Sequence, residues 1–103
     1  MVKLQYSKPA LADLRAIYLY VSNDSPANAK RFVRKLKDRV KILKKYPEIG
    51  REIFPDKFPR LRQVLHKSYR IIYQYENNIV TVVTVHHQSL LIENVAAIRK
   101  YFI

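Results

Sequence analysis

The side chains best suited to chemistry in this chain are two adjacent histidines, His86 and His87, at the end of the last segment rich in β-branched residues. Adjacent residues of a strand point to opposite faces, so these two rings cannot serve one metal ion or one acid–base step together. A histidine whose pKa lies near ~6.5 can transfer a proton during a reaction, typically for a ~10²–10⁴-fold gain in rate. For His66 we expect a structural role, which is the more common one for a lone histidine.

Arg70 is the second candidate, because a guanidinium can hold two phosphate oxygens at once and stays charged at any working pH. It stands at the start of a predicted strand and should point to the sheet face opposite Ile71 and Tyr73. Arg62 and His66, four residues apart on another predicted strand, should share one face and could join the same polar patch. The alternative, equally well supported, is that Arg70 braces the sheet or binds a carboxylate.

Other kinds of site lack their residues. The single glycine excludes a glycine-rich phosphate loop, and the absence of cysteine excludes a thiolate nucleophile and cysteine-based metal spacings. The eight acidic residues are scattered and give no signature of paired catalytic carboxylates. We therefore expect no metal site, no cofactor and no small-molecule substrate.

Half of the cations lie in one segment. The chain has 20 Lys or Arg residues and a formal net charge of +12, and the segment from Lys30 to Arg51 holds ten of these cations against Asp38 and Glu48 alone. Such a charge attracts polyanions, namely nucleic acid, an anionic membrane surface or an acidic protein. A solvated helix surface is the ordinary explanation of a charge run, but the scarcity of acids that could pair with these cations favours an anionic partner.

Seven predicted elements must position these side chains. Apolar periodicity, with N-cap serines at Ser7 and Ser25 and prolines soon after them, predicts the order strand, helix, helix, three strands in an antiparallel meander, and a C-terminal helix. The predicted ranges are 2–6, 8–22, 26–46, 61–66, 69–76, 79–87 and 90–103, and 51–60 should be irregular. Asn77 and Asn78 should form the last hairpin turn, since Asn tolerates a positive φ. The fold class is therefore α+β, in a single domain over 1–103.

Three features that the sequence lacks bear on the cellular compartment of the protein: a signal peptide, a membrane-spanning segment and cysteine. The N-terminal residues contain no apolar run of signal-peptide length, and nowhere do about 18 uncharged apolar residues follow one another. A chain without cysteine also suits a reducing compartment. We expect a cytoplasmic protein with no membrane partner.

Four short motifs, in this order of elements, resemble the RelE/ParE superfamily of toxins from type II toxin–antitoxin systems. They are Asp13 in the first helix, Ser25-Pro26 opening the second, Pro47 with Gly50-Arg51 closing it, and Tyr69-Arg70 entering the hairpin. The Ser-Pro-x-x-Ala-x-x-Phe start and the Pro-x-x-Gly-Arg loop resemble the ParE branch most. The resemblance covers about Leu4 to Gln88, and it implies a small curved antiparallel sheet with a helical hairpin on one face.

The resemblance also implies a function, a partner and a site. A ParE-like toxin would arrest growth by poisoning DNA gyrase and would be neutralised by a cognate antitoxin. The cationic second helix would bind the antitoxin through Arg31, Arg34, Lys37, Lys41 and Lys45. The surface for the target or for nucleic acid would include Arg51, Arg62, His66, Arg70, His86 and Gln88.

Two alternatives remain open at this point. One is a RelE-type, ribosome-dependent messenger RNA endoribonuclease, in which Arg70 would stabilise charge on the scissile phosphate and His87 would transfer the proton. The chain departs from that pattern just past the last predicted strand, where a second arginine is expected and the residues are Gln88, Ser89, Leu90 and Leu91. Many ParE-like relatives also carry an arginine there, and Leu90 stands in its place. The other is a non-catalytic basic module that binds nucleic acid or an antitoxin.

Overall fold

The computed structural model describes residues 1–53, 55–57 and 60–90. Its elements are β1 (Lys3–Tyr6), α1 (Lys8–Ser22), α2 (Pro26–Lys45), β2 (Arg51–Glu52), β3 (Leu61–His66), β4 (Tyr69–Glu76) and β5 (Ile79–His87). The predicted α+β order is confirmed over these residues. The predicted C-terminal helix falls, from residue 91 onward, outside the described residues.

The strands form one five-stranded sheet in the order β1-β5-β4-β3-β2. The predicted antiparallel meander of β3, β4 and β5 is confirmed, whereas β1 pairs with β5 in parallel and makes the sheet mixed. The short strand β2 pairs with Arg62 and Gln63 of β3, inside a segment predicted to be irregular. Two residues are too few to show an alternating pattern, so the sequence carried no signal for it.

Serine side chains fix where both helices begin. Ser7 Oγ accepts a hydrogen bond from the Ala10 N–H (3.1 Å) and donates one to the Val83 oxygen (2.8 Å), so it caps α1 and ties it to β5. Ser25 Oγ accepts a hydrogen bond from the Asn28 N–H (3.3 Å) at the start of α2. Both predicted N-caps are confirmed, each with a proline in the first turn.

The helical hairpin packs on one face of the sheet and buries a single core. The residues that form it are Ala10, Leu14, Ile17, Leu36, Val40, Leu43, Val64, Ile71, Tyr73, Val80, Val82 and Val85. Neither described helix is long and apolar enough to span a bilayer.

A β-bulge in β5 decides which of its side chains share a face. Ile72 pairs with Thr84, whereas Tyr73 pairs with Val82, so Val83 has no partner across the ladder. Before the bulge Val80 and Val82 face the helices, and after the bulge Val85 faces them. The turn between β4 and β5 has the positive φ predicted for its two asparagines, 55° and 61°.

Candidate functional site

Arg70 lies on the sheet face that points away from the helices. It stands opposite Leu65 of β3 and His86 of β5 in the strand register. Its Nη1 donates a hydrogen bond to Gln63 Oε1 (3.2 Å), and its Nη2 donates one to the main-chain oxygen of Gln88 (3.3 Å). Neutral oxygens, and no carboxylate of the described residues, therefore hold this guanidinium in place.

His86 is the histidine beside Arg70, and its ring is buried. Burial lowers the pKa of His86, and the charge of Arg70 lowers it further, while Asp13 opposes the shift. Neither ring nitrogen has a hydrogen-bond partner among the described residues. At neutral pH this site therefore pairs a fixed cation with an uncharged imidazole.

His87 lies on the opposite, helix-facing side of β5. Its ring meets the edge of Tyr69 at 5.4 Å between centroids. Its Nδ1 accepts a hydrogen bond from the Ser89 N–H (3.1 Å) and lies 2.9 Å from Ser89 Oγ. The two histidines face opposite ways as predicted, but the bulge places His86 rather than His87 next to Arg70, so the structure separates the predicted pair Arg70 and His87.

Arg62 and His66 share a face, as predicted, but it is not the face of Arg70. Their partners across the ladder are Tyr73 and Tyr69, which pack toward the helices. Arg62 Nη1 donates hydrogen bonds to the main-chain oxygens of Gly50 (2.8 Å) and Glu48 (3.1 Å), and His66 lies against Phe32. These two residues therefore do not join the polar patch around Arg70.

Arg51 does belong to the Arg70 face. It stands opposite Gln63, the residue that binds the Arg70 guanidinium. The structure thus gathers Arg51, Arg70 and His86 on one face, with the backbone of Gln88 at its border. Within residues 1–53, 55–57 and 60–90, no three His, Cys, Asp or Glu side chains lie close enough together to hold a metal ion.

The loop that follows α2 is fastened by Tyr73, a residue that sequence reasoning did not assign to a site. Tyr73 Oη donates a hydrogen bond to the Pro47 oxygen (2.8 Å) and accepts one from the Gly50 N–H (2.8 Å). A Cβ atom at position 50 would lie 2.4 Å from Tyr73 Oη. Only glycine fits there, which gives the Pro-x-x-Gly-Arg motif a structural reason.

Comparison with known proteins agrees with this arrangement. The family model described as "ParE toxin of type II toxin-antitoxin system, parDE" matches residues 4–91. The chain belongs to this family. A solved structure titled "Chromosomal ParDE TA system from P. aeruginosa" is similar with a TM-score of 0.70 and 25% sequence identity, over 84% of this chain and 96% of that one. No curated protein sequence matches.

The predicted ParE-like identity is thus confirmed, and the protein is a ParE-type toxin of a type II toxin–antitoxin system. The acidic residue of its first helix has a clear structural role. Asp13 Oδ2 accepts hydrogen bonds from Thr84 Oγ1 (2.6 Å) and from the Val85 N–H (3.0 Å). This part of β5 extends beyond the end of β1, so β1 offers no partner to its backbone N–H groups. Asp13 takes the place of that partner for the Val85 N–H.

The cations of α2 in the ParE-type toxin form two stripes rather than one. Because residues three and four positions apart adjoin on a helix, one exposed stripe contains Arg34, Lys37, Lys41 and Lys45. A second stripe, formed by Arg31, Lys35 and Arg39, runs beside the β3–β4 hairpin, where Arg39 Nε donates a hydrogen bond to the Leu65 oxygen (3.3 Å). Four of the five predicted antitoxin contacts therefore lie in the first stripe, and Arg31 lies in the second stripe, next to Arg34.

Proposed function

We propose that this toxin arrests growth by poisoning DNA gyrase and that its cognate antitoxin neutralises it by covering the helical hairpin. The observation that carries the proposal is the match to the ParE family over residues 4–91, since gyrase is the target typical of that branch.

The geometry around Arg70 counts against the alternative of RNA cleavage. Arg70 and His87 lie on opposite faces of the sheet, and the buried His86 beside Arg70 has a lowered pKa. A second arginine is expected in the ribonuclease branch just past the last strand, where this chain has Gln88, Ser89, Leu90 and Leu91. Loss of one group that stabilises charge in a transition state typically costs about 2.7–4 kcal/mol, or ~10²–10³-fold in rate. We therefore expect weak or no cleavage of translated RNA.

The outward surface of the hairpin suits an antitoxin segment that is apolar with acidic flanks. The exposed stripe of α2 supplies the cations, and α1 exposes Leu11, Leu19 and Tyr20. Only one described ion pair, Lys41 with Asp38, involves this stripe, and both of its side chains are exposed. Such a surface gives fast, salt-dependent association with a partner of opposite charge.

Purified toxin and DNA gyrase provide the test of the target. We expect inhibition of supercoiling, accumulation of double-strand breaks in the DNA, and intact messenger RNA in cells in which the toxin is induced. Cleavage of ribosome-bound messenger RNA by the purified chain, with gyrase activity unchanged, would contradict the proposal.

The antitoxin surface needs a separate measurement. Reversing Arg34, Lys37 and Lys41 to Glu should slow association with the antitoxin mainly at low salt, because exposed charges act over a Debye length of about 10 Å at 0.1 M. The matched control reverses three exposed lysines outside α2: Lys3, Lys8 and Lys57. Equal association rates for both triple variants across about 50–300 mM salt would refute the assignment.

A further inference from the structure

A separate cationic cleft lies between α2 and the turn that joins β3 to β4. It has a volume of about 220 Å³ and is lined by Val21, Asn28, Arg31, Phe32, Lys35 and Lys67. Three of these six residues carry a positive charge, and none of the six is acidic. The cleft shares no residue with the exposed stripe of α2 or with the Arg70 face.

The elements that supply these cations are tied to each other. Lys67 stands in the tight turn between His66 and Tyr69, with a φ of 54°. Arg31 Nη1 donates a hydrogen bond to Asn28 Oδ1 (3.2 Å), which steadies its guanidinium at the cleft. The bond from Arg39 to the oxygen of Leu65 joins α2 to the same hairpin. The positive charges are therefore held near each other before any ligand binds.

This charge has no counter-ion within the described part of the chain. The ion pairs found there involve Lys41, Arg60 and Arg62, and none involves a cation of the cleft. The same positive charges act on the neighbouring His66. Burial lowers the pKa of His66 most, and the charges of Lys67, Arg39 and Lys35 lower it further, with no acid opposing them. A ligand that brings negative charge would relieve this repulsion.

One wall of the cleft is aromatic. Phe32 is partly buried and lines the cleft, and its ring meets His66 and Tyr69 edge-on, at 5.9 Å and 5.5 Å between centroids. These contacts fix the ring while part of it stays accessible. An aromatic ring next to several cations is the combination that binds single-stranded nucleic acid, where each unit has one phosphate and one flat base.

We propose that this cleft binds a single-stranded nucleic acid, with Arg31, Lys35 and Lys67 neutralising backbone phosphates and Phe32 stacking on a base. A duplex fits less well, since its bases are paired and cannot reach the ring. An acidic peptide would satisfy the cations but would bring no flat group for the ring. The inference is independent of gyrase as the target, because it concerns direct binding by the isolated toxin.

The test measures binding of a fluorescent 12-nucleotide oligothymidylate to the full chain by anisotropy at several salt concentrations. Each lost phosphate contact on a single strand lowers the slope of log K against log salt by about 0.7. The double variant K35Q/K67Q should therefore reduce the slope by about 1.4 and weaken binding roughly tenfold or more at low salt. The control K30Q/K44Q removes the same charge from exposed positions of α2 outside the cleft and should change both quantities little.

The aromatic part of the proposal has its own variant. Phe32→Leu keeps an apolar side chain against the core and should weaken binding at least about fivefold, the low end of one stacked base. Circular dichroism shows whether this variant folds, and if it does not, the lysine variants still decide the question. Equal losses in K35Q/K67Q and K30Q/K44Q would overturn the proposal, because net charge alone would then explain binding. Tighter binding of polyglutamate of the same length would also overturn it, in favour of an acidic peptide.

Discussion

Replacing Tyr73 by Phe removes a single oxygen on which the loop after α2 depends. The hydroxyl donates to the Pro47 oxygen and accepts from the Gly50 N–H, both at 2.8 Å. Tyr73 itself is fully buried in the core between the helices and the sheet. The substitution keeps the ring and its packing, so it isolates the contribution of the two hydrogen bonds.

The magnitude follows from the surroundings of the two partners. Gly50 is buried, so its N–H would lose its partner without access to water, at a cost of about 1–3 kcal/mol. The Pro47 residue is only half-buried, so water can replace part of the second bond, and a cost of about 0.5–1 kcal/mol remains. We expect the free energy of unfolding to fall by about 1.5–4 kcal/mol in total. For a domain of this size that lowers the melting temperature by roughly 6–32 °C.

Urea denaturation followed by circular dichroism measures this change. The matched control is Tyr75→Phe on the same strand, where the hydroxyl makes one exposed hydrogen bond to Asn78 Oδ1 at 3.3 Å. Loss of that bond should cost less than about 0.5 kcal/mol, as expected for a surface substitution.

A Tyr73→Phe protein as stable as the Tyr75→Phe protein would refute the reasoning. Gly50→Ala examines the same contact from the other side, because the added Cβ would lie 2.4 Å from Tyr73 Oη and 2.6 Å from its ring. It should destabilise the chain by at least as much as Tyr73→Phe, since the ring or the loop must move.

Two further predictions concern the attachment of α1 and the two histidines whose pKa is lowered in the folded chain. Asp13→Ala should lower the free energy of unfolding by about 2–3 kcal/mol, because two groups of β5 lose their charged acceptor. Asp24→Ala, in the exposed turn between α1 and α2, should change it little in the same urea titration. Burial lowers the pKa of His66 and His86 in the folded chain, so below pH ~6.5 the unfolded chain binds more protons than the folded one. Stability should therefore be level just above that pH and fall as the pH drops toward 5. His86→Gln should flatten this dependence, and a profile identical to that of the unmodified chain would contradict the argument.

Much of the fold could be predicted because the deciding signals were local. Ser7 and Ser25 cap the two helices, and Asn77 with Asn78 forms the last hairpin turn, as their side chains and backbone preferences dictate. The short strand β2 was missed because its two residues pair only through the distant strand β3. The parallel pairing of β1 with β5 could not be predicted from the sequence either, because it depends on how the helical hairpin places the later strands relative to β1.

The candidate site was predicted less well than the fold. The motif containing Gly50 was found, but the reason for it lies in Tyr73, which is 23 residues away in sequence. Asp13 was noticed only as part of a family resemblance, and its partners on β5 are 71 and 72 residues away. Contacts of this range leave no periodic signal in a single sequence.

Residue types and their spacing are enough to predict the charge of this toxin, the order of its main elements and the opposite orientation of its two adjacent histidines. These properties depend on residue type and on the two-residue period of a strand, both of which are local. The identity of the histidine beside Arg70 depends instead on how the strands pair. The unpaired Val83 in β5 shifts that period by one residue, so His86 reaches the face of Arg70 and His87 turns toward the helices.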